Sequence, residues 1–172
     1  MFIEKIRNFF YRFYLSPERY ARKIGVKIGK NCFIGTRHFG SEPYLISIGD
    51  NVGIPEGVFF HTHGGARAAR RIYPDFDVFG KIVVKDWAYI GSGSHIMPGV
   101  TIGKNSMVAA CSAVVKSVPD NEVWGGVPAR KICSVDDYIS RNLKFNTKTK
   151  NLSSEEKKKV LLSLPDSMFI KK

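Results

Sequence analysis

The sequence predicts a mainly β protein: a parallel β-helix of six-residue repeats, with helices at both ends. Three observations carry this. Val84, Ile90, Ile96, Ile102, Val108 and Val114 recur at constant spacing. Four residues after each stands a small or β-branched residue: Ala88, Ser94, Val100, Ser106, Ser112 and Val118. The same beat appears earlier, at Ile28 and Ile34 and again at Ile48, Ile54 and Phe60. A helical period of 3.6 does not hold such a beat, whereas six is an even step along a strand. Each hexad is then one short strand and its corner, with the aliphatic residue inward.

Residues 1–23 are expected to form an N-terminal helical cap. Phe2, Ile6, Phe9, Phe10, Phe13 and Tyr14 recur at helical spacing over 2–22, with Lys5, Arg7 and Arg12 between them. Two readings fit: a cover for the first coil, or a basic, aromatic helix on a membrane surface. Residues 24–133 hold the β-helix. The beat skips between Ile34 and Ile48, where Phe39-Gly40-Ser41-Glu42-Pro43-Tyr44 reads as a bulge or short loop. It breaks over residues 64–80, which begin Gly-Gly and carry Arg67, Arg70, Arg71, Asp75 and Asp77. Phe60 to Val84 is a multiple of six, so the coil resumes in register after this excursion. A long excursion from a regular solenoid points to function. Residues 120–133 read as an extended exit with Gly125, Gly126 and Pro128. Residues 134–172 read as a tail of two helices. Ser153-Ser154-Glu155-Glu156 supplies a capping box for the second, and Lys144 to Lys150 a polar linker.

The length of 172 residues suits one domain with terminal extensions. A net charge of +12 favours anionic partners. Nucleic acid is not among them, because no zinc-finger spacing or ribonucleoprotein motif accompanies the charge. Cys32, Cys111 and Cys133 are odd in number and read as packing thiols in a reducing cytoplasm. No transmembrane run is expected. The N-terminus reaches Glu4, Lys5 and Arg7 too soon for a signal peptide.

His61-Thr62-His63-Gly64-Gly65 is the best catalytic candidate, at the start of the excursion. Two histidines two apart on a strand share a face. A neutral imidazole there can act as general base toward a hydroxyl or amine. A structural pair, one solvated and one hydrogen-bonded, is the alternative. His61, His63 and His95 on adjacent coils are also a conceivable zinc set for a hydratase. No metal is expected.

Tyr89-Ile90-Gly91-Ser92, then Ile96-Met97-Pro98-Gly99-Val100-Thr101-Ile102-Gly103, and the exit Gly126-Val127-Pro128-Ala129-Arg130 resemble the hexapeptide-repeat acyltransferases. The similarity is to the branch with galactoside, maltose and capsular-polysaccharide O-acetyltransferases, over about residues 24–133. Phe39 to Tyr44, Thr62-His63-x-Gly65 and Tyr73-Pro74-Asp75 resemble its polysaccharide-type members. The resemblance implies a left-handed coil, a homotrimer with sites between subunits, and acetyl-coenzyme A as donor. It implies His63 as catalytic base, with His61 in reserve. Gly64 stands where those members often carry Asp. Ser41, Glu42 and His61 are acceptor-binding or orienting candidates, Glu42 also being readable as a corner carboxylate. Ser92, Ala110, Ser112, Lys116 and Arg130 are implied for the donor. Lys116 and Arg130 suit phosphate groups, although ordinary solvated charge is the plain alternative. Small residues Ala109, Ala110 and Cys111 admit a pantetheine arm. Val115 stands where many members have Thr.

The function expected is O-acetylation of a sugar hydroxyl in surface-polysaccharide or lipopolysaccharide biosynthesis. The acceptor is a sugar, nucleotide sugar or lipid-linked glycan, and the enzyme is cytoplasmic, at most touching the inner membrane face. Three alternatives stay open: N-acetylation of a nucleotide-linked amino sugar, whose diphosphate the excursion's three arginines could meet; a zinc hydratase; and a non-catalytic β-helix scaffold. The excursion is expected to reach over a neighbouring protomer's site.

Overall fold

The structure is a computed structural model that describes residues 11 and 13–171. The expected contacts of Phe2, Ile6, Phe9 and Phe10 lie outside the described residues. Internal contacts divide the chain into two units, Met1–Val135 and Asp136–Lys172.

Helix α1 spans Pro17–Lys23. A single helix over 2–22 was expected, but a new one begins at Pro17, with Leu15 and Ser16 non-helical. Proline disfavours the α conformation in the residue before it. The Ser16 side chain then accepts the Arg19 N–H at 3.4 Å, and Glu18 sits in the positive first turn. Ser16-Pro17-Glu18 is a start signal that the aromatic periodicity masked.

The strands follow as β1 (Lys27–Ile28), β2 (Phe33–Ile34), β3 (Ile46–Ile48), β4 (Gly53–Ile54), β5 (Phe59–Phe60), β6 (Ile82–Val84), β7 (Tyr89–Ile90), β8 (His95–Ile96), β9 (Thr101–Ile102), β10 (Met107–Val108), β11 (Ala113–Val114), β12 (Glu122–Gly126) and β13 (Ala129–Ser134). They stack into three sheets: β1-β3-β6-β9, β2-β4-β7-β10-β12-β13 and β5-β8-β11. All pairings are parallel except β12 with β13. Each sheet takes one strand per turn, which makes a three-faced parallel β-helix. Val84 pairs Ile102, Ile90 pairs Val108 and Ile96 pairs Val114. Each pair is three hexads apart, so three hexads make one turn.

The beat residues fill the interior. Ile54, Ile90, Ile96, Ile102 and Val114 are 0% exposed, and the small residues Ala88, Ser94, Ser106 and Ser112 are at most 1% exposed. Apolar burial of this kind stabilises by about 1.5–3 kcal/mol per large side chain. Corners obey a second rule. The third residue after the inward aliphatic takes positive φ at Asn31, Asn51, Gly57, Trp87, Gly93, Gly99, Asn105 and Cys111. Asn and Gly tolerate that conformation best. Cys111 is therefore an exposed corner residue rather than the expected packing thiol, while Cys133 is buried and Cys32 half-buried.

Two stretches carry the chain out of phase. In the first coil, Ile28 pairs Ile48 and Ile34 pairs Ile54, two residues beyond three hexads. Phe39, 2% exposed, stacks on Phe60 at 5.5 Å, and a 3₁₀ turn over Pro43–Leu45 absorbs the extra length. Glu42 sits on this bulge. The second is the excursion, after which β6 pairs β3 in register. The expected extended exit is instead an antiparallel hairpin of β12 and β13, because Gly125-Gly126 and the Val127–Pro128 segment turn the chain back.

In the second unit, helix α2 (Val135–Asn142, beginning at the boundary) and helix α3 (Ser154–Ser163) are short and exposed. The Ser153–Glu156 capping box forms at the start of α3, as expected. No described helix is long and apolar enough to cross a membrane.

Candidate active site

The strand direction of β5 continues through residues 61–63, where the His61 N–H donates to the Ile96 carbonyl. Alternation turns Thr62 inward, at 0% exposure, and His61 and His63 outward. The excursion is closed at its root. The Gly64 N–H donates to the Val78 carbonyl at 3.0 Å and the Gly80 N–H to that of Thr62 at 2.9 Å. His63 and Phe79 thus form an antiparallel bridge, with their rings edge-on at 6.4 Å. A catalytic candidate at the root of a long loop is thereby held by a β-bridge, which is a more rigid support than a loop tip.

Glu42 reaches the same place from the first-coil bulge. Its Oε2 accepts the Thr62 hydroxyl at 2.6 Å and lies 2.9 Å from His63 Nδ1. Burial pushes the Glu42 carboxyl up, but the hydrogen bonds from Thr62 and His63, together with the His63 charge, outweigh it and hold it below the usual range. An ionised carboxylate only accepts, so His63 Nδ1 carries the donated hydrogen. The lone pair of the neutral ring then sits on Nε2. This is the orientation a general base needs.

A pocket of about 340 Å³ opens over this group, lined by Glu42, His63, Gly64, Gly65, Ala66, Arg67, Arg70, Asp77 and Phe79. Arg70 is committed within the excursion: its Nε donates to the Phe76 carbonyl at 2.9 Å and its Nη2 pairs with Asp77 at 3.4 Å. Another hollow, of about 390 Å³, includes Lys85, Asp86, Lys104 and Asp120. Its carboxylates already accept corner N–H groups, Asp86 from Asp50 and Asp120 from Lys104, and no histidine lines it.

The remaining candidates separate. His61 belongs to a different group: its Nε2 lies 3.0 Å from His95 Nδ1, and the two rings stack. His95 stacks in turn on Phe59, and Phe59 on His38. Burial, then the charges of His95 and His63, hold the His61 imidazole below its ordinary value. Among the described residues, no three His, Cys, Asp or Glu side chains converge as a metal set. Ser41 is exposed beside Glu42 and does not line the pocket.

Of the donor candidates, Ser92 and Ala110 are exposed on stacked corners, where Cys111 N–H donates to the Ser92 carbonyl. A Cβ on Gly91 would collide with the Ala110 backbone, so only glycine lets these corners approach. Lys116 is exposed just after β11, and Arg130 on β13. Ser112 is 1% exposed, and its hydroxyl is used inside the coil. It donates to the Ala109 carbonyl at 2.7 Å and accepts the Gly126 N–H at 3.2 Å, which anchors the exit hairpin. Its place as the inward small residue of its hexad already implied that burial.

Phe79 was not legible as a site feature, Thr62 entered only within the Thr62-His63-x-Gly65 segment, and Arg67 only as one of three excursion arginines suited to a diphosphate. Thr62 carries an inward phase in the β5 alternation, which was the available signal. The pairing of 62–64 with 78–80 had none.

Comparison with known proteins fits this architecture. The model described as bacterial transferase hexapeptide (six repeats) matches residues 81–116, and that of the hexapeptide repeat of succinyl-transferase matches residues 25–59. Protein CapG of Staphylococcus aureus is 47% identical over 146 residues, covering 83% of this chain and 85% of that protein. Galactoside O-acetyltransferase of Escherichia coli is 32% identical over 122 residues, covering 70% of this chain and 60% of that one. A hexapeptide-repeat acetyltransferase of Vibrio cholerae O1, solved in complex with acetyl-coenzyme A, superposes with a TM-score of 0.58 at 35% identity, over 64% of this chain and 60% of that one. The chain belongs to the hexapeptide-repeat transferases and is an acyltransferase of that family.

Proposed function

We propose that this enzyme transfers the acetyl group of acetyl-coenzyme A to a sugar hydroxyl, in the synthesis of a surface polysaccharide or lipopolysaccharide. The observation that carries the reading is the Glu42–His63 pair in the wall of a pocket. Glu42 fixes the tautomer. His63 Nε2 takes the proton of the acceptor hydroxyl as its oxygen attacks the thioester carbonyl. The tetrahedral intermediate collapses, the C–S bond breaks, and the proton passes to the departing thiolate. No covalent enzyme intermediate is needed. His61 is turned to His95 and plays no part in the transfer.

The donor lies along the later coils. Small residues at Ser92 and Ala110 let the pantetheine arm approach the backbone, and Lys116 and Arg130 meet its phosphates. Ser112 acts from inside, by fixing the hairpin that carries Arg130. The likeness to an acetyltransferase solved with acetyl-coenzyme A supports this donor. The coil is read as left-handed and the enzyme as a homotrimer, acting in the cytoplasm or at the inner membrane face. Exposed Ile72 and Tyr73 on the excursion support the trimer, since a neighbouring copy would cover them.

Incubating the purified protein with acetyl-coenzyme A and a panel of hydroxyl and amine acceptors, and following thiol release, tests the reading. Sugar hydroxyls are the expected substrates. Turnover confined to amino sugars would replace it with N-acetylation. Absence of both turnover and donor binding would favour a scaffold.

A further inference from the structure

We infer that the sugar acceptor is anionic, with a carboxylate or phosphate that pairs with Arg67 while its hydroxyl faces His63. The inference rests on the acetyltransfer reading and deepens it.

The pocket over His63 is lined by two carboxylates and two guanidinium groups. Both carboxylates have partners within the protein. Glu42 accepts from Thr62 and His63, and Asp77 pairs with Arg70. Arg70 is further held by the Phe76 carbonyl. Arg67 is the lining charge for which no ion pair with a carboxylate is found among the described residues. It is also well mounted. It follows Ala66, which is 6% exposed and the buried residue of the excursion, and the Ala66 carbonyl accepts the Arg70 N–H at 3.0 Å. The turn carrying Arg67 is thus anchored at Ala66 and strapped by Arg70.

The chemistry of the pocket then sorts its ligands. A guanidinium offers a planar fork that matches a carboxylate or phosphate at two points. A neutral sugar leaves that fork to water. An anionic sugar gains a charge-assisted contact that also sets which hydroxyl meets His63. Gly65 leaves room beside it: a Cβ there would meet nothing within 4 Å.

The test compares matched acceptors in the thiol-release assay: methyl galactoside with methyl galacturonide, methyl glucoside with methyl glucuronide, and galactose with galactose 1-phosphate. Expected is a kcat/KM at least about tenfold higher for the anionic member of one series, carried mainly by KM. Preference for the uronides identifies a sugar carboxylate as the anion, and preference for galactose 1-phosphate a phosphate. Arg67→Gln should bring the anionic-to-neutral ratio to near one, and Arg67→Lys should restore part of it. Retained elevation of the melting temperature by acetyl-coenzyme A checks that both variants fold. Equal turnover of charged and neutral members, or an Arg67→Gln variant that keeps the preference, overturns the inference while leaving sugar O-acetylation intact. No thiol release with any acceptor overturns the transfer reading and this inference with it.

Discussion

Glu42 and His63 stand 21 residues apart in sequence, yet Glu42 Oε2 lies 2.9 Å from His63 Nδ1. The contact joins a bulge in the first coil to the root of the excursion from the second. Two interruptions of an otherwise regular repeat meet at one carboxylate, which pairs with His63, whereas His61 pairs with His95.

Replacing His63 with Ala removes the proposed base without touching the core, since the side chain is 46% exposed. Turnover should fall at least about a hundredfold. Acetyl-coenzyme A should still raise the melting temperature. Near-normal turnover in this variant would end the assignment of the base.

Thr62 positions Glu42, and its substitution separates hydrogen bonding from shape. Thr62→Val should lower kcat by about tenfold, in line with loss of a charge-assisted bond worth about 1.5–3 kcal/mol, while KM for the donor stays. The Thr62 bond holds the Glu42 carboxyl down. Without it Glu42 protonates at higher pH, so the acid limb of the pH–rate profile should move up. Thr62→Ser should recover both kcat and the limb. A Thr62→Val profile superimposable on the parent's would leave Thr62 a packing residue only.

His61 predicts acid sensitivity of the fold. Its folded value is held below the ordinary 6.5 by burial, then by the charges of His95 and His63. Between the two values the unfolded chain binds more protons than the folded one, so stability falls as pH falls. The contribution is complete above about 6.5 and is lost as pH drops through the folded value. Melting temperatures read from pH 7 to pH 5 should decline less steeply in His61→Phe, which keeps a ring in the stack. Equal slopes in parent and variant would show that the loss arises elsewhere.

Lys116→Ala and Arg130→Ala should each raise KM for acetyl-coenzyme A about tenfold with little change in kcat. A donor lacking the 3′-phosphate should be insensitive to loss of whichever residue binds that phosphate. Unchanged KM in both variants would return these two cations to the solvated surface.

Light scattering should give three times the 19.3 kDa chain mass. Ile72→Ser combined with Tyr73→Ser should weaken assembly, because these residues are 62% and 65% exposed in the single chain. A stable, fully active monomer at nanomolar concentration would remove both the trimer and the shared site.

The hexad period alone is enough to place the coil. A hexad keeps inward and corner positions in fixed phase, so Ile90, Ile96, Ile102 and their small partners could be placed without coordinates, and each is buried. Contact between coils follows the same arithmetic, as Val84 with Ile102 shows. The capping box at Ser153 is equally local. Tertiary structure decided what the period does not reach. Where the excursion closes, at His63 and Phe79, depends on how 17 residues off the repeat return to it. The partner of His63 depends on a two-residue lengthening of another coil. The exit turned into a hairpin because the last strand has no further turn to pair with, and an unpaired edge with Gly125-Gly126 behind it folds back on itself. Periodic segments are fixed by neighbours at constant offset, whereas the site lies where the offset fails, and there only the folded chain brings the partners together.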